Sequence, residues 1–167
     1  RWLCRVAERL GCQVRVGDYG NTPWGGRGGR LPDGRRVVQV NIGCPLDQLA
    51  PHVLEAIEEA LGPGIGIDLD AARWITGMMF LLHELGHALL GHTRSQGPRD
   101  RQEYEANDYR DRALIAIYGM GGLISAGSDV AEEAAAETLE RIGAEMARER
   151  APAPAHTAAR RLTCSAS

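Results

Sequence analysis

The chain has 167 residues, a mass of 18.1 kDa and 44% hydrophobic residues, which fits a single domain with a buried core. Its net charge of −3 and its pI near 6.0 argue against nucleic-acid binding across the whole chain. The four cysteines form no C-x-x-C pair, which argues against a zinc knuckle or a dense disulfide framework.

No signal peptide opens the chain, and its most apolar run is interrupted by His83, Glu84 and His87. That run falls well short of the ~20 apolar residues that span a bilayer. We therefore expect a soluble, cytoplasmic protein without a membrane segment. Because residue 1 is arginine and not methionine, we also expect a piece of a longer protein, which leaves room for a further domain.

A helix followed by a small sheet is predicted for the start of the chain. Apolar side chains recur at helical spacing over residues 2–10, and Gly11 stands where that helix ends. Residues 13–16 alternate between polar and apolar and predict a strand, whereas the glycine-rich residues 17–34 predict a mobile loop. At its end, Asp33-Gly34 is a turn signal between Arg30-Leu31 and the alternating residues 36–42, which predicts a hairpin.

Two helices are predicted next, joined by a short connector. Residues 46–61 carry an apolar stripe with glutamates outside it, which is typical of a packing helix. Residues 62–67 contain glycine and proline and cannot continue that helix. Asp68 or Asp70 then caps a second helix, which we predict from about Ala71 to Leu90.

This second helix contains the pattern H-E-x-x-H, at His83, Glu84 and His87. The two histidines lie one turn apart on one face, so both imidazoles can reach one metal ion. Glu84 is rotated about 100° from His83 and flanks that ion, where a general base must sit to take a proton from bound water. Zinc with three protein ligands lowers the pKa of such a water to about 7. The pattern therefore predicts a catalytic zinc site.

The residues around this pattern are apolar, from Met78 to Leu90. Polar side chains buried there without partners would cost about 1–3 kcal/mol each, and a metal ion removes that cost. The alternative interpretation is a hydrogen-bonded polar cluster that holds no metal.

Two more helices follow the motif. Asp100 opens the first, with Glu103 three residues later as in a capping box, which gives Glu103 a structural task. Glu105 has no such task and borders the buried stripe of this helix. That stripe consists of Ala106, Tyr109, Ala113, Leu114 and Ile117. The last helix runs from Asp129 to about Arg150, with an apolar stripe of Val130, Ala134, Thr138, Ile142 and Met146.

These elements predict one domain over residues 1–150. Its core covers residues 1–118, and the C-terminal helix over residues 129–150 packs on that core. Residues 151–167, which include Pro152 and Pro154 and have little apolar content, predict a disordered tail.

The stretch His83-Glu84-Leu85-Gly86-His87, followed by Glu105-Ala106-Asn107-Asp108-Tyr109, resembles the ImmA/IrrE family of small metallopeptidases. In that family HELGH precedes an E-A-N-x-F element, and Tyr109 stands where the family usually has Phe. The resemblance covers residue 1 to about residue 118. It implies a zincin-like domain that hydrolyses peptide bonds with Zn²⁺ and cleaves a regulatory protein, such as a transcriptional repressor, at a specific site.

The third metal ligand is to be chosen among His92, Glu103 and Glu105. His92 follows His87 by five residues, which turns it about 140° from the shared face if the helix persists. Glu103 has its capping task and lies near solvent. Glu105 borders a buried stripe and matches the E-A-N element. We therefore predict that His83, His87 and Glu105 hold Zn²⁺, with Asp108 as the hydrogen-bond partner of a ligand histidine.

Together these patterns predict an α+β, zincin-like fold, in which a small antiparallel sheet packs beside a helical core that carries the HExxH helix. The predicted function is zinc-dependent hydrolysis of a protein or peptide substrate with Glu84 as general base. The first alternative is a regulatory or scaffold protein that keeps the metal without turnover. The second, nucleic-acid binding by residues 25–36, is not expected.

Two details of the predicted site stay open. Zincin chemistry calls for an additional oxyanion donor, for which Tyr19, Tyr104, His52 and His92 are candidates without a ranking. The hairpin either offers its edge to an extended substrate or only covers the active-site helix.

Overall fold

The computed structural model describes residues 1–18, 26–41, 44–61, 68–93, 99–120 and 129–150. Within these ranges the chain forms five helices and three strands, which is an α+β fold. In chain order the elements are α1 (Trp2–Arg9), β1 (Cys12–Gly17), β2 (Gly26–Arg30), β3 (Arg36–Asn41), α2 (Cys44–Leu61), α3 (Leu69–Leu89), α4 (Arg99–Gly119) and α5 (Asp129–Arg150).

The three strands form a mixed sheet with the order β1-β3-β2. β2 is antiparallel to β3, as the predicted hairpin requires, whereas β1 is parallel to β3. The prediction of an antiparallel sheet was therefore wrong for β1. The chain reverses direction between successive strands, so β1 and β3 run the same way. Their ladder is parallel because β1 pairs with β3 and not with β2.

The hairpin turn lies where Asp33-Gly34 predicts it. The Leu31 N–H donates to the Arg35 carbonyl at 2.8 Å, and the Gly34 N–H donates to the Leu31 carbonyl at 2.9 Å. Gly34 has a φ of +85°, a conformation in which a residue with a Cβ is strained.

β2 consists largely of glycines that were predicted to lie in a mobile loop. That prediction was wrong for residues 26–29, and the reason lies in the packing of β2 against α3. A Cβ on Gly28 would lie 1.9 Å from the backbone oxygen of Glu84, and one on Gly26 would lie 2.4 Å from the Glu84 Cγ. Glycine is needed here because the strand approaches the helix too closely for any side chain.

Gly28→Ala tests this close approach. The added methyl group forces β2 away from α3, so we expect the free energy of unfolding to fall by about 1–3 kcal/mol. Thermal melting measures the change. Gly119→Ala is the control, because a Cβ at Gly119 meets no atom within 4 Å. Equal melting temperatures for the two variants would show that β2 does not pack on α3 in this way.

α3 lies at the centre of the helical core and packs against the sheet, α2 and α4. Its start is fixed by Asp68, whose side chain accepts a hydrogen bond from the Ala71 N–H at 2.7 Å, so one of the two predicted caps is confirmed. Gly86, inside the motif, lies against the ring of Tyr109 in α4, which a Cβ would meet at 3.0 Å. A small residue here allows α3 and α4 to approach closely.

α5 packs on α1 and α4, but with a different face from the predicted one. Val130, which was expected in the stripe, is 71% exposed, whereas Ile142 and Met146 are buried as predicted. The buried face also contains Ala131, Ala135, Ala136 and Leu139. The predicted stripe starts one position too early, because small alanines fill this interface and Glu132 turns inward to meet arginines of α1.

Glu132 joins α5 to α1. Its carboxylate accepts from the Arg5 Nε at 2.5 Å and from the Arg9 Nε at 3.2 Å. The hydrogen bond from Arg5 outweighs the effect of burial and holds the pKa of Glu132 below its usual value.

The stabilising effect of Glu132 should depend on pH. A carboxyl whose pKa is lower in the folded state stabilises the fold above the unfolded pKa and loses this effect as the pH falls through the folded pKa. We expect Glu132→Gln to melt below the wild type at pH 7, and the difference to shrink as the pH falls below about 4. Glu133→Gln, at an exposed position, is the control. A difference that is constant across this pH range would contradict the assignment.

Among the described residues, no helix has the length and apolar character needed to cross a membrane. The predicted tail over residues 151–167, the connector over residues 62–67 and the candidate Tyr19 lie outside the described residues.

Candidate metal centre

An open cleft of about 1250 Å³ lies between β2, α2, α3 and α4. α2 and α3 contribute apolar side chains to its lining, among them Val53, Met79 and Phe80. α4 contributes polar side chains, namely Arg99, Gln102, Glu103, Asn107 and Arg110. His83, Glu84 and His87 line the same cleft, so the motif faces a space that a ligand can enter.

Three metal-ligand atoms converge in this cleft. The Nε2 atoms of His83 and His87 are 3.1 Å apart, and Glu103 Oε2 lies 3.2 Å from the first and 3.7 Å from the second. Two atoms bound to one tetrahedral zinc at about 2.0–2.1 Å are roughly 3.3–3.4 Å apart. The spacing of His83, His87 and Glu103 therefore fits a single metal ion, and this group could hold one.

The hydrogen bond on the outer side of His83 prepares its ring for a metal. Asn107 Oδ1 lies 3.0 Å from His83 Nδ1 and also accepts from Arg110 Nη1 at 3.0 Å. Because this oxygen can only accept, His83 donates from Nδ1 and keeps the lone pair on Nε2. That lone pair faces the Glu103 carboxylate at 3.2 Å. Two acceptors at this distance repel each other, and a cation between them removes the repulsion.

Burial favours the neutral form of both histidines of the motif. Burial lowers the pKa of His83, against the opposing effect of the Glu103 carboxylate. For His87, burial and then the neighbouring His83 lower the pKa. Neutral imidazole is the form that binds metals, so these shifts favour metal binding over protonation.

Glu84 lies beside this group with only 7% of its surface exposed. Burial, and then the nearby Glu103 carboxylate, raise its pKa to about 8, while the Gly28 N–H donates a hydrogen bond to it and lowers the pKa slightly. A carboxyl with a pKa close to the surrounding pH can both take and return a proton. Its burial follows from the packing of β2 on α3.

Glu105 is not part of the converging group, in contrast to the prediction. Its Oε2 lies 2.9 Å from His92 Nε2, and its Oε1 accepts from Arg101 Nε at 2.9 Å. Positions 103 and 105 are about 200° apart around a helix, so only one of them can face α3. α4 presents Glu103 to the motif. Glu103 does not have the predicted capping task, because α4 starts at Arg99 and the Glu103 carboxylate lies at the histidines.

Asp108 does not contact a histidine of the motif. Its carboxylate accepts from Arg112 Nε at 3.1 Å, and the partner of His83 is Asn107 instead. The two positions differ by about 100° around the helix, which separates the cleft side from the outer side of α4. Asn107 was missed, although it follows Glu103 by four residues and so shares its face.

The candidate oxyanion donors are dispersed. His52 lines the cleft, but 73% of its side chain is exposed and it lies 3.6 Å from Glu55. Tyr104 is 73% exposed and lines a different pocket, next to Arg101 and Arg150. His92 is buried behind His87. Of the three candidates in the described residues, His52 and His92 line the cleft.

No family model matches the chain, and neither the curated proteins nor the solved structures contain a match to it. A conclusion about function therefore depends on the chemistry of the cleft and on the motif within it.

Proposed function

We propose that the chain is a zincin-like, zinc-dependent peptidase domain in which His83, His87 and Glu103 hold Zn²⁺. The observation that carries this proposal is the convergence of three ligand atoms within 3.1–3.7 Å of one another in an open cleft, beside a buried carboxyl. Two histidines and one glutamate with an open position are a donor set of catalytic zinc in hydrolases. The resemblance to the ImmA/IrrE family supports the same activity.

Glu84 acts as the general base in this proposal. Bound zinc supplies a Lewis acid that makes water acidic and polarises the scissile carbonyl. Glu84 takes the proton of the attacking water and returns it to the leaving amine. The Gly28 N–H, which donates to the Glu84 carboxylate, holds the base in place. Glu103 keeps 43% of its side chain exposed, so the ligand side of the cleft stays open to a substrate.

We propose a protein or peptide substrate that binds along β2. β2 is an edge strand of the sheet, and Gly26 and Gly28 line the cleft beside Glu84. A peptide that lies in the cleft along Gly26 and Gly28 passes the catalytic carboxyl, which favours substrate binding over mere covering as the task of the hairpin. The family resemblance suggests a transcriptional repressor as the substrate.

The apolar part of the cleft suggests which peptides are cleaved. Val53 of α2 and Met79 and Phe80 of α3 line the cleft close to the motif. A peptide side chain that enters this part of the cleft loses its contact with water, and this is favourable only if the side chain is apolar. We therefore propose an apolar residue next to the cleaved bond.

Removal of the metal tests the proposed centre. We expect about one equivalent of zinc in the purified protein by native mass spectrometry, and a lower melting temperature after chelation, because zinc binds only the native chain. Free zinc at 100 times its Kd adds about 2.7 kcal/mol to the free energy of unfolding. Its removal should therefore lower the melting temperature by about 5–10 °C. In His87→Ala the chelator should have no effect. An unchanged wild-type melting curve after complete removal would refute the centre.

A further inference from the structure

A line of buried polar side chains continues from His87 away from the cleft. His87 Nδ1 lies 2.8 Å from His92 Nδ1, and His92 Nε2 lies 2.9 Å from Glu105 Oε2. All three residues are buried, and His92 is only 4% exposed. Buried polar groups are nearly always hydrogen-bonded. Each contact along this line therefore needs one donor and one acceptor, which limits where the hydrogens can lie.

His92 reaches this line because α3 ends just before it. The helix stops at Leu89, and Gly91 has a φ of +70°, which turns the chain back. The His92 N–H donates to the His87 carbonyl at 2.9 Å, and its own carbonyl accepts from the Arg30 N–H at 3.3 Å. The expected rotation of His92 away from the shared face required a continuing helix, which Gly91 prevents.

The far end of the line determines where its hydrogens lie. Glu105 accepts from Arg101 at Oε1, and Arg150 of α5 contacts its Oε2. A carboxylate between two guanidinium groups only accepts, so the hydrogen between Glu105 and His92 belongs to His92 Nε2. A neutral imidazole carries one hydrogen, so His92 Nδ1 accepts. His87 must then donate from Nδ1, which leaves the lone pair on its Nε2.

The same distances fit a second arrangement of the hydrogens along this line. Arg150 Nη2 lies 3.1 Å from His92 Nε2 and could donate to it. His92 would then donate from Nδ1 to His87, and His87 would carry its hydrogen on Nε2, where it blocks a metal ion. In that state Glu105 would receive no hydrogen from His92. The Glu105 carboxylate therefore decides between a metal-binding and a metal-blocking tautomer of His87.

We propose that His92 and Glu105 are positioning residues, which hold His87 in the tautomer that presents Nε2 to the metal. This inference rests on the proposed metal centre. Asn107 and Arg110 act in the same way on His83. Each histidine of the motif therefore donates to an acceptor on the side away from the metal, and an arginine contacts the residue that accepts. Arg150 brings the end of α5 into this arrangement, which gives the C-terminal helix a task beyond packing.

Glu105→Gln is the variant that tests the inference, because its amide has the shape of the carboxylate but can donate to His92 Nε2. In the metal-free wild type, two-bond ¹H–¹⁵N NMR spectra should show His87 protonated on Nδ1 and His92 on Nε2. In Glu105→Gln both tautomers should reverse, and zinc affinity measured by chelator competition should fall about 10–100-fold. Glu149→Gln, an exposed neighbour outside the line, should change neither.

His92→Phe gives a second test, which remains if Glu105→Gln fails to fold. His87 then has no outer acceptor, so it should populate both tautomers and lose zinc affinity to a similar extent. If His87 keeps its hydrogen on Nδ1 and zinc binds normally in both variants, the positioning role is overturned. If the tautomers and the zinc affinity respond as expected but the zinc-loaded wild type cleaves no peptide, the positioning role stands and the proposed peptidase function fails instead.

Discussion

Glu84→Gln should retain about one equivalent of zinc while turnover falls by about 10²–10⁴-fold, the usual share of general-base catalysis. The reason is that metal binding and proton transfer are assigned to different residues. The three converging ligand atoms come from His83, His87 and Glu103, while the Glu84 carboxyl accepts from the Gly28 N–H. The substitution keeps the size of the side chain and removes its ability to take a proton. Native mass spectrometry measures the zinc, and cleavage of a peptide library, followed by mass spectrometry, measures the turnover.

Glu137→Gln, at an exposed position of α5, controls for the loss of one carboxylate from the chain. A Glu84→Gln variant that loses its zinc would make Glu84 a ligand, and one that cleaves at the wild-type rate would remove it from the mechanism. A wild type that holds zinc but cleaves no library peptide would favour the alternative of a non-catalytic regulatory or scaffold protein.

Glu103→Ala should weaken zinc binding by about 10³-fold, or roughly 4 kcal/mol, since it deletes one of the three proposed ligands and leaves only the histidine pair. Competition with a chromophoric chelator measures the Kd. Glu103 is better placed than Glu105 because its Oε2 lies 3.2 Å from His83 Nε2, while Glu105 is held by His92 and Arg101. Its side chain is half exposed, so the fold should tolerate the substitution.

The comparison with Glu105 makes this prediction specific. Substitution of Glu105 acts on the metal only through His92, so its effect should be smaller than that of Glu103→Ala. Glu137→Ala should leave the Kd unchanged. If Glu105→Ala removed the metal while Glu103→Ala kept it, the rotation of α4 seen in the structure would not be that of the metal-bound protein, and Glu105 would be the ligand.

Local sequence patterns were sufficient for the features that depend on neighbours along the chain. His83 and His87 share a face because any helix brings residues four apart together, and Asp68 caps α3 through the backbone next to it. The turn at Asp33-Gly34 requires only that Gly34 can adopt a positive φ. Each of these features depends only on residues close to one another in the sequence, so the order and type of these elements could be predicted.

The tertiary structure alone decided the features that depend on how two elements meet. Whether Glu103 or Glu105 reaches the motif depends on the rotation of α4 against α3, and the same rotation brings Asn107 and not Asp108 to His83. The need for glycine in β2 arises only from its contact with Glu84, which the sequence does not reveal. The E-A-N element lies on α4, but in the structure Glu103 and not Glu105 faces the motif. A helical pattern repeats every 3.6 residues, so an error of one or two positions turns a side chain by about 100–200°.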